Sequence, residues 1–335
     1  MAATETPGAE GRRPIPLTIL TGFLGAGKTT LLNRILASDH GLRIGVLVND
    51  FGSVNVDAEL VVGVEDDLMS LANGCVCCEI RDDLLEALDR VLGAPTPPDY
   101  LVLEASGVAD PASIYMTFAS SEQRDDLRLD SVTCVVDADQ MGEYVERGPE
   151  VLAHVIHQIG YSDLVLLNKV DLAGPERTAW LRSKMDEMMN RLRVVETTYC
   201  DVPWDVLLST DTSVMRMIET PADTVPVPDH AVEFDRWTYE SAEPLSLAAL
   251  KRMVRLELPG AVFRLKGFVY TSDDPEHRYV VHTVGRRSEV RRHDPWGDRT
   301  PATRLVAIAA ADQLDPQWLR AAIDRCTPGD RPANS

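Results

Sequence analysis

The segment 22–29 constrains the fold more than any other part of the chain, because it fits the pattern G-x-x-x-x-G-K-[ST]. An apolar, β-rich run precedes it at 15–20, and residues 29–38 follow it with helical spacing. A strand, a glycine-rich turn and a helix in this order form the context that a phosphate-binding loop requires. Glycines let backbone N–H groups wrap phosphate oxygens, and a helix N-terminus favours an anion.

The loop sequence predicts a role for each polar residue. Lys28 is expected to reach the β- and γ-phosphates of a nucleotide, and the Thr29 hydroxyl is expected to bind Mg²⁺. The residues that we expect to contact the nucleotide from this loop are Gly22, Gly25, Ala26, Gly27, Lys28, Thr29 and Thr30.

A second motif follows at 101–107, where an apolar strand ends in an acid and a glycine comes three residues later. An acid at such a strand end can hold Mg²⁺ through water, which assigns Glu104 to the metal. The N–H group of Gly107 can sense the γ-phosphate.

A third motif, N-K-x-D, ends another apolar run at 164–167. The carboxylate of Asp171 can accept hydrogen bonds from both N1–H and N2–H₂ of guanine, whereas adenine has no such donor pair. Asn168 is expected to brace the loop and contact the base, and the Lys169 stem is expected to cover the face of the base. The sequence therefore predicts GTP rather than ATP.

Strands and helices alternate between these motifs. Further strands are predicted at 44–48, 100–103 and 131–136, and helices at 82–92, 150–157 and 176–192. Alternation of this kind predicts an α/β fold with a mostly parallel, doubly wound sheet of the P-loop NTPase type.

The pattern changes after a proline-rich stretch at 219–230, which predicts a stiff connector to a smaller α+β domain. In that domain we predict strands at 234–239, 261–270, 279–284 and 304–308, and helices at 246–256 and 315–325. The predicted organisation is a flexible arm (1–14), a nucleotide-binding domain (15–218), the linker (219–230), a C-terminal domain (231–326) and a polar tail (327–335).

Charge and composition exclude several classes of protein. The 335 residues carry 53 acidic and 33 basic side chains, a formal net charge of −20. This balance argues against a nucleic-acid binder, which needs a basic face, and against a polybasic membrane anchor. Apolar runs stay well below the ~20 residues of a membrane helix. Residues 1–11 lack the apolar core of a secretory signal, so we expect a cytoplasmic protein.

Three of the six cysteines, Cys75, Cys77 and Cys78, fall within four positions. Thiolates are soft ligands for Zn²⁺ and similar ions, so the cluster predicts a metal site; structural or redox thiols are the alternative. Three thiolates do not complete a tetrahedron, and the fourth ligand could be a carboxylate, a water or a group of a partner. An incomplete site suits a metal that must leave again. The cluster lies between Asp50 and Glu104, where P-loop GTPases switch with the γ-phosphate.

Taken in order, GFLGAGKTT, NDFG, GCVCC, LEASG and NKVD resemble the CobW-like P-loop GTPases, relatives of the accessory GTPases of urease and hydrogenase maturation. The likeness covers 15–325, since 264–270 and 304–308 resemble the family's C-terminal domain. It implies slow GTP hydrolysis coupled to delivery of a metal, often zinc or cobalt, to client proteins. By position, it implies the metal motif at Cys75, Cys77 and Cys78, the acid at Glu104, and the guanine pair at Asn168 and Asp171.

This chain departs from the family pattern at two places. Many members have glutamates where this chain has Asp50 and Ser53, and many carry a histidine-rich stretch near the linker, where only His230 lies here. Carboxylate ligation at the first place is therefore open, and a high-capacity metal reservoir is not expected.

The sequence thus predicts a GTPase metallochaperone with Lys28, Asp50 and Glu104 in the hydrolytic site. Its cofactors are GTP, Mg²⁺ and Zn²⁺, with Co²⁺ or iron as alternatives, and its partner is a client metalloprotein. Turnover should be slow, since no arginine finger is identifiable. Rival hypotheses are a metal sensor or buffer without GTP-driven transfer and a small-molecule phosphotransferase.

Three further points stay open at this stage. The chain could form a homo-oligomer. His154 and His157 could form an accessory metal site or lie at the surface. The basic segment 286–293 could dock a client or rim a solvated hairpin.

Overall fold

Two β-sheets organise the computed structural model, which describes residues 13–48, 68–70, 79–146, 148–189, 192–210 and 234–328. The first sheet has seven parallel strands in the order β3-β2-β4-β1-β5-β6-β7. These strands are β1 (Ile15–Thr21), β2 (Ile44–Val48), β3 (Leu68–Ser70), β4 (Tyr100–Glu104), β5 (Leu127–Asp137), β6 (Leu164–Asn168) and β7 (Val194–Thr197).

Helices connect these strands. They are α1 (Lys28–Ala37), α2 (Glu79–Leu92), α3 (Pro111–Ala119), α4 (Met141–Glu146), α5 (Pro149–Tyr161), α6 (Val170–Ala173), α7 (Pro175–Met188) and α8 (Trp204–Leu207). Every residue of β1, β2, β4 and β6 is buried. Parallel strands covered on both faces are apolar throughout rather than alternating, and the predicted doubly wound α/β fold is confirmed.

Helix α3 of this domain was not predicted, and β5 and α7 differ from their predicted bounds. Helix α3 begins with an N-cap at Asp110, whose side chain accepts from the N–H of Ala112, and with proline in its first turn. This is a readable start signal. Strand β5 begins four residues before the predicted 131, because Asp130 interrupts the apolar run although it is buried. Helix α7 ends at Met188, earlier than the predicted 192.

The second sheet is antiparallel, with strand order β11-β10-β9-β12-β8. Its elements are β8 (Phe234–Ser241), α9 (Leu247–Leu256), β9 (Val262–Val269), β10 (His277–Val284), β11 (Arg287–Pro295), β12 (Thr303–Ala310) and α10 (Pro316–Asp324). The predicted α+β character is confirmed, but β11 was missed. It is an edge strand rich in charge, partly exposed along its length, so it lacks the apolar alternation that identifies a strand.

The β10–β11 hairpin docks onto the end of α5. Arg286 donates from Nη2 to the carbonyl oxygens of Gly160 (2.5 Å) and Ser162 (3.0 Å). Arg287 donates from Nε to Oδ2 of Asp163 at 2.9 Å. The start of the basic segment 286–293, at the β10–β11 hairpin, therefore also joins the two sheets.

The two sheets also meet through the segment around α8. Arg264 of β9 is fully buried, lies 3.1 Å from Oδ2 of Asp130, and donates to the carbonyls of Val206 and Leu207. Lys266 donates from Nζ to the carbonyls of Asp205 and Leu208, each at 3.1 Å.

None of the helices within the described ranges has both the length and the apolar character needed to span a bilayer.

Candidate nucleotide-binding site

The phosphate loop joins β1 to α1 at the carboxyl end of the parallel strands. Its glycines at 22, 25 and 27 have φ angles of 133°, 76° and 115°, a region that L-residues rarely adopt. A Cβ on Gly27 would lie 2.6 Å from Nδ2 of Asn168 and 3.2 Å from Sγ of Cys200. The glycines thus give the loop its turn and let it approach neighbouring elements closely.

The two polar residues after the glycines lie at the start of α1. Lys28 is largely buried, with Nζ 3.5 Å from the carbonyl oxygen of Phe23, so its side chain reaches back over the loop. Thr29 donates from Oγ1 to Oε1 of Glu104 at 3.1 Å. Glu104 is the last residue of β4 and only 2% exposed.

The pair formed by Thr29 and Glu104 fits a Mg²⁺ site. A hydroxyl and a carboxylate are hard oxygen donors, and Mg²⁺ is bound in proteins by one or two such groups together with water and phosphate oxygens. The two oxygens already lie within hydrogen-bond distance of each other at the end of the phosphate loop.

The predicted sensor residue Gly107 lies in a turn against the phosphate loop. The turn 106–109 is closed by a hydrogen bond from the N–H of Ala109 to the carbonyl of Ser106, at 2.9 Å. A Cβ on Gly107 would lie 2.7 Å from the backbone nitrogen of Leu24. Because only glycine permits this approach without displacing a neighbour, the backbone of the turn lies directly beside the loop.

Asn168, the first residue of the N-K-x-D motif, joins three segments of the site. Its Nδ2 donates to the carbonyl of Ala26 in the phosphate loop at 2.9 Å. Its Oδ1 accepts from the N–H of Cys200 at 2.9 Å and from the hydroxyl of Thr197 at 3.3 Å. The side chain is buried, and these hydrogen bonds connect the phosphate loop to the segment after β7.

The other two motif residues differ in their surroundings. Lys169 has a φ of 64°, and its Nζ lies 2.6 Å from Oδ2 of Asp137 at the end of β5. Asp171 is exposed in the first turn of α6. The carboxylate predicted to select guanine therefore faces solvent beside the braced loop, while Lys169 is anchored by an ion pair that the sequence did not reveal.

Cys200 is a site residue that sequence reasoning missed. It is buried and has a φ of 54°, and its Sγ lies 3.4 Å from the carbonyl of Gly27. Burial raises the pKa of this thiol to about 12, so it is neutral at pH 7. A signal existed in the sequence, since Cys200 follows β7 at the same sheet edge as the other motifs, but that short strand was not predicted.

The predicted metal ligands Cys75, Cys77 and Cys78, and the predicted hydrolytic residue Asp50, lie outside the described residues. Among the residues that are described, no group of three His, Cys, Asp or Glu side chains could hold a metal ion. His157 lies 3.6 Å from Oδ1 of Asp110 and packs its ring against Tyr161.

Comparison with known proteins agrees with this geometry. A family model described as the CobW/HypB/UreG nucleotide-binding domain matches residues 16–196. A second, described as the cobalamin synthesis protein cobW C-terminal domain, matches residues 234–327.

Three curated relatives align over most of this chain. Zinc chaperone YjiA of Escherichia coli (strain K12) is 33% identical over 323 residues, covering 92% of this chain and 98% of the relative. Zinc chaperone CobW of a Sinorhizobium species is 30% identical over 346 residues, covering 92% and 96%. Zinc-regulated GTPase metalloprotein activator 1 of Dictyostelium discoideum is 28% identical over 330 residues, covering 85% and 69%. The match to both family models, over the residues that build the two sheets, places this chain in the CobW/HypB/UreG family that its motifs resemble.

Proposed function

We propose that this protein is a GTP-hydrolysing zinc chaperone that binds Zn²⁺ through Cys75, Cys77 and Cys78 and transfers it to a client protein. The observation that carries the nucleotide half of this proposal is the position of Asn168. It ties the carbonyl of Ala26 in the phosphate loop to the Cys200 segment, and it precedes Asp171 by three residues.

The chemistry of hydrolysis follows from the groups around the loop. The ammonium group of Lys28 and the N–H groups at the start of α1 stabilise negative charge on the phosphates. Thr29 and Glu104 would hold Mg²⁺, which neutralises charge on the β- and γ-phosphate oxygens when it is bound. The Gly107 N–H lies in the turn beside the loop, where it can donate to the γ-phosphate. Asp50, two residues after the end of β2 in the sequence, is proposed to act in hydrolysis as well.

The metal half of the proposal rests on the sequence and on the relatives. In the sequence, Cys75, Cys77 and Cys78 fall between the last residue of β3, Ser70, and the first residue of α2, Glu79. Three thiolates leave one position for an exchangeable ligand, which is what a metal in transit requires. Two relatives are named zinc chaperones, and a third is named a zinc-regulated GTPase metalloprotein activator. We therefore propose zinc as the cargo and a metalloprotein as the client, in the reducing cytoplasm, where such thiols persist.

The deciding experiment measures the Zn²⁺ dissociation constant by competition with a chromogenic chelator under reducing conditions. It is run with Mg²⁺ alone, with Mg²⁺ and GDP, and with Mg²⁺ and a non-hydrolysable GTP analogue. We expect a change of tenfold or more between nucleotide states, about 1.4 kcal/mol of coupling. Equal constants in all three states would instead indicate a metal buffer in which GTP does not act on the metal.

A variant series locates the metal. The triple variant Cys75→Ser, Cys77→Ser, Cys78→Ser should keep GTP binding and lose tight Zn²⁺ binding. Cys326→Ala serves as the matched control, because Cys326 is buried in the C-terminal domain core. If the triple variant binds Zn²⁺ as tightly as the wild type, the assignment of the metal site is wrong.

A further inference from the structure

Gln158 on α5 contacts the turn that carries the proposed γ-phosphate sensor. Its side chain is fully buried, and its Nε2 donates to the carbonyls of Gly107 at 3.1 Å and Ala109 at 3.3 Å. A primary amide has two N–H donors, and both are used on the same turn. No other hydrogen bond is given to these two carbonyl oxygens within the described part of the chain.

The turn 106–109 therefore contacts two elements. One is the phosphate loop, since a Cβ on Gly107 would lie 2.7 Å from the Leu24 backbone nitrogen. The other is α5, through the hydrogen bonds from Gln158. The preceding residue of α5, His157, also contacts this region, with Nδ1 3.6 Å from Oδ1 of Asp110, the residue before α3. Helix α5 thus contacts both the turn and the residue that follows it.

The oxygen atom of the Gln158 amide, Oε1, is buried and differs from the nitrogen in having no hydrogen-bond partner among the described residues. A buried acceptor without a partner is unfavourable. Methionine would fill a similar space without Oε1, but it would leave the carbonyls of Gly107 and Ala109 without the donors that Nε2 supplies. The presence of an amide here is therefore explained by the two carbonyls to which it donates.

We propose that Gln158 is a positioning residue for the nucleotide reaction: it holds the 106–109 turn so that the Gly107 N–H can bind the γ-phosphate. This inference rests on the proposed GTPase function and assigns a role to a residue outside all the nucleotide motifs. It implies that Gln158 discriminates between nucleotides with and without a γ-phosphate, and that it contributes little to the binding of GDP.

The test compares Gln158→Met with Gln313→Met, an exposed glutamine in the C-terminal domain, in the full-length protein. Dissociation constants are measured with Mg²⁺ for GDP and for a non-hydrolysable GTP analogue, alongside the thermal midpoint and the single-turnover rate of GTP hydrolysis. For Gln158→Met we expect GDP binding within about twofold of wild type, analogue binding about tenfold weaker, and a lower hydrolysis rate. The thermal midpoint is expected to fall modestly, because the substitution leaves the buried carbonyls of Gly107 and Ala109 without their donor. The inference is therefore tested by the difference between the two nucleotides and not by the midpoint. The Gln313→Met variant should match the wild type in all four measurements.

Two results would overturn the inference while leaving the proposed function intact. One is a Gln158→Met variant that binds both nucleotides as the wild type does. The other is a variant that loses both nucleotides by the same factor, which indicates a purely structural role. A wild-type protein that binds neither guanine nucleotide would instead overturn the proposed function, and this inference with it.

Discussion

The nucleotide site and the interface between the two sheets use charged residues in opposite ways. At the nucleotide site the shape comes from backbone turns, Asp171 is exposed, and Lys28 reaches over the loop that it is proposed to serve. At the interface Arg264 and Asp130 are each only 1% exposed by side chain and lie 3.1 Å apart. The residues of the nucleotide site are placed to contact a ligand, whereas Arg264 and Asp130 contact each other and neighbouring groups of the protein. We therefore expect substitutions in the nucleotide site to change binding, and substitutions at the interface to change stability.

The largest effect on stability is expected for Arg264→Met. The variant removes the donors to two backbone carbonyls and the principal partner of Asp130. Burial alone would raise the pKa of that carboxyl; the Arg264 guanidinium, aided by Arg128, outweighs burial and holds the pKa well below its usual range. Loss of one partner of a buried pair costs about 3–5 kcal/mol, so the free energy of unfolding from urea titration should fall by about that amount.

The control for this prediction is Arg304→Met. Arg304 forms an ion pair with Glu240 at 2.8 Å, but both side chains are at least half exposed. Such a pair contributes about 0–1 kcal/mol. If both variants lose the same small amount of stability, the contrast between the two regions is wrong.

The largest effect on binding is expected for Asp171→Asn. A neutral amide cannot accept from both guanine donors as a carboxylate does, and hydrogen bonds to charged groups contribute about 1.5–3 kcal/mol each. The GTP dissociation constant should rise about a hundredfold, with the free energy of unfolding unchanged within about 0.5 kcal/mol. Asp298→Asn, at an exposed position in the C-terminal domain, is the control. A variant that binds GTP normally would remove the basis for guanine selection.

An intermediate effect is expected for Lys266→Met, which should change how the free energy of unfolding depends on pH. Burial, with a smaller contribution from the neighbouring Arg264, lowers the pKa of Lys266 to about 7. The unfolded chain keeps its proton up to about pH 10, so between pH 7 and 10 the unfolded state binds one proton more than the folded state. Stability of the wild type should therefore rise with pH in this window, by up to about 1.4 kcal/mol per unit from this residue, and level off below pH 7.

Urea midpoints at pH 7, 8 and 9 test this slope. Lys266→Met should lose it, whereas Lys251→Met, which removes an exposed lysine from α9, should keep it. A variant at 266 with the wild-type slope would show that the buried amine stays protonated, and that the interface tolerates a full charge there.

These two regions also differ in how far the sequence predicts them. The phosphate loop, Glu104, Gly107 and the N-K-x-D motif are short contiguous patterns at the ends of apolar strands, so residue spacing alone brings them to one sheet edge. The interface joins Asp130, Asp205 and β9, which lie far apart in sequence. A charged residue in an apolar strand has no local signal for its partner, and Asp130 for that reason caused the start of β5 to be misplaced.

Cys200 is a buried side chain that lies at the nucleotide site. We expect its substitution by alanine to have the smallest effect on nucleotide binding. Cys200→Ala removes one weak contact to the Gly27 carbonyl and keeps the backbone N–H that donates to Asn168. We expect the GTP dissociation constant to change by threefold or less, below about 0.7 kcal/mol. Cys200→Val should do more damage, because a β-branched side chain is strained at a φ of 54° and the site already lies close to Gly27. If the alanine variant were as damaging as the valine variant, the thiol itself would have to contribute to the loop. In that case a buried side chain, and not the backbone alone, would determine the shape of the nucleotide site at this edge of the sheet.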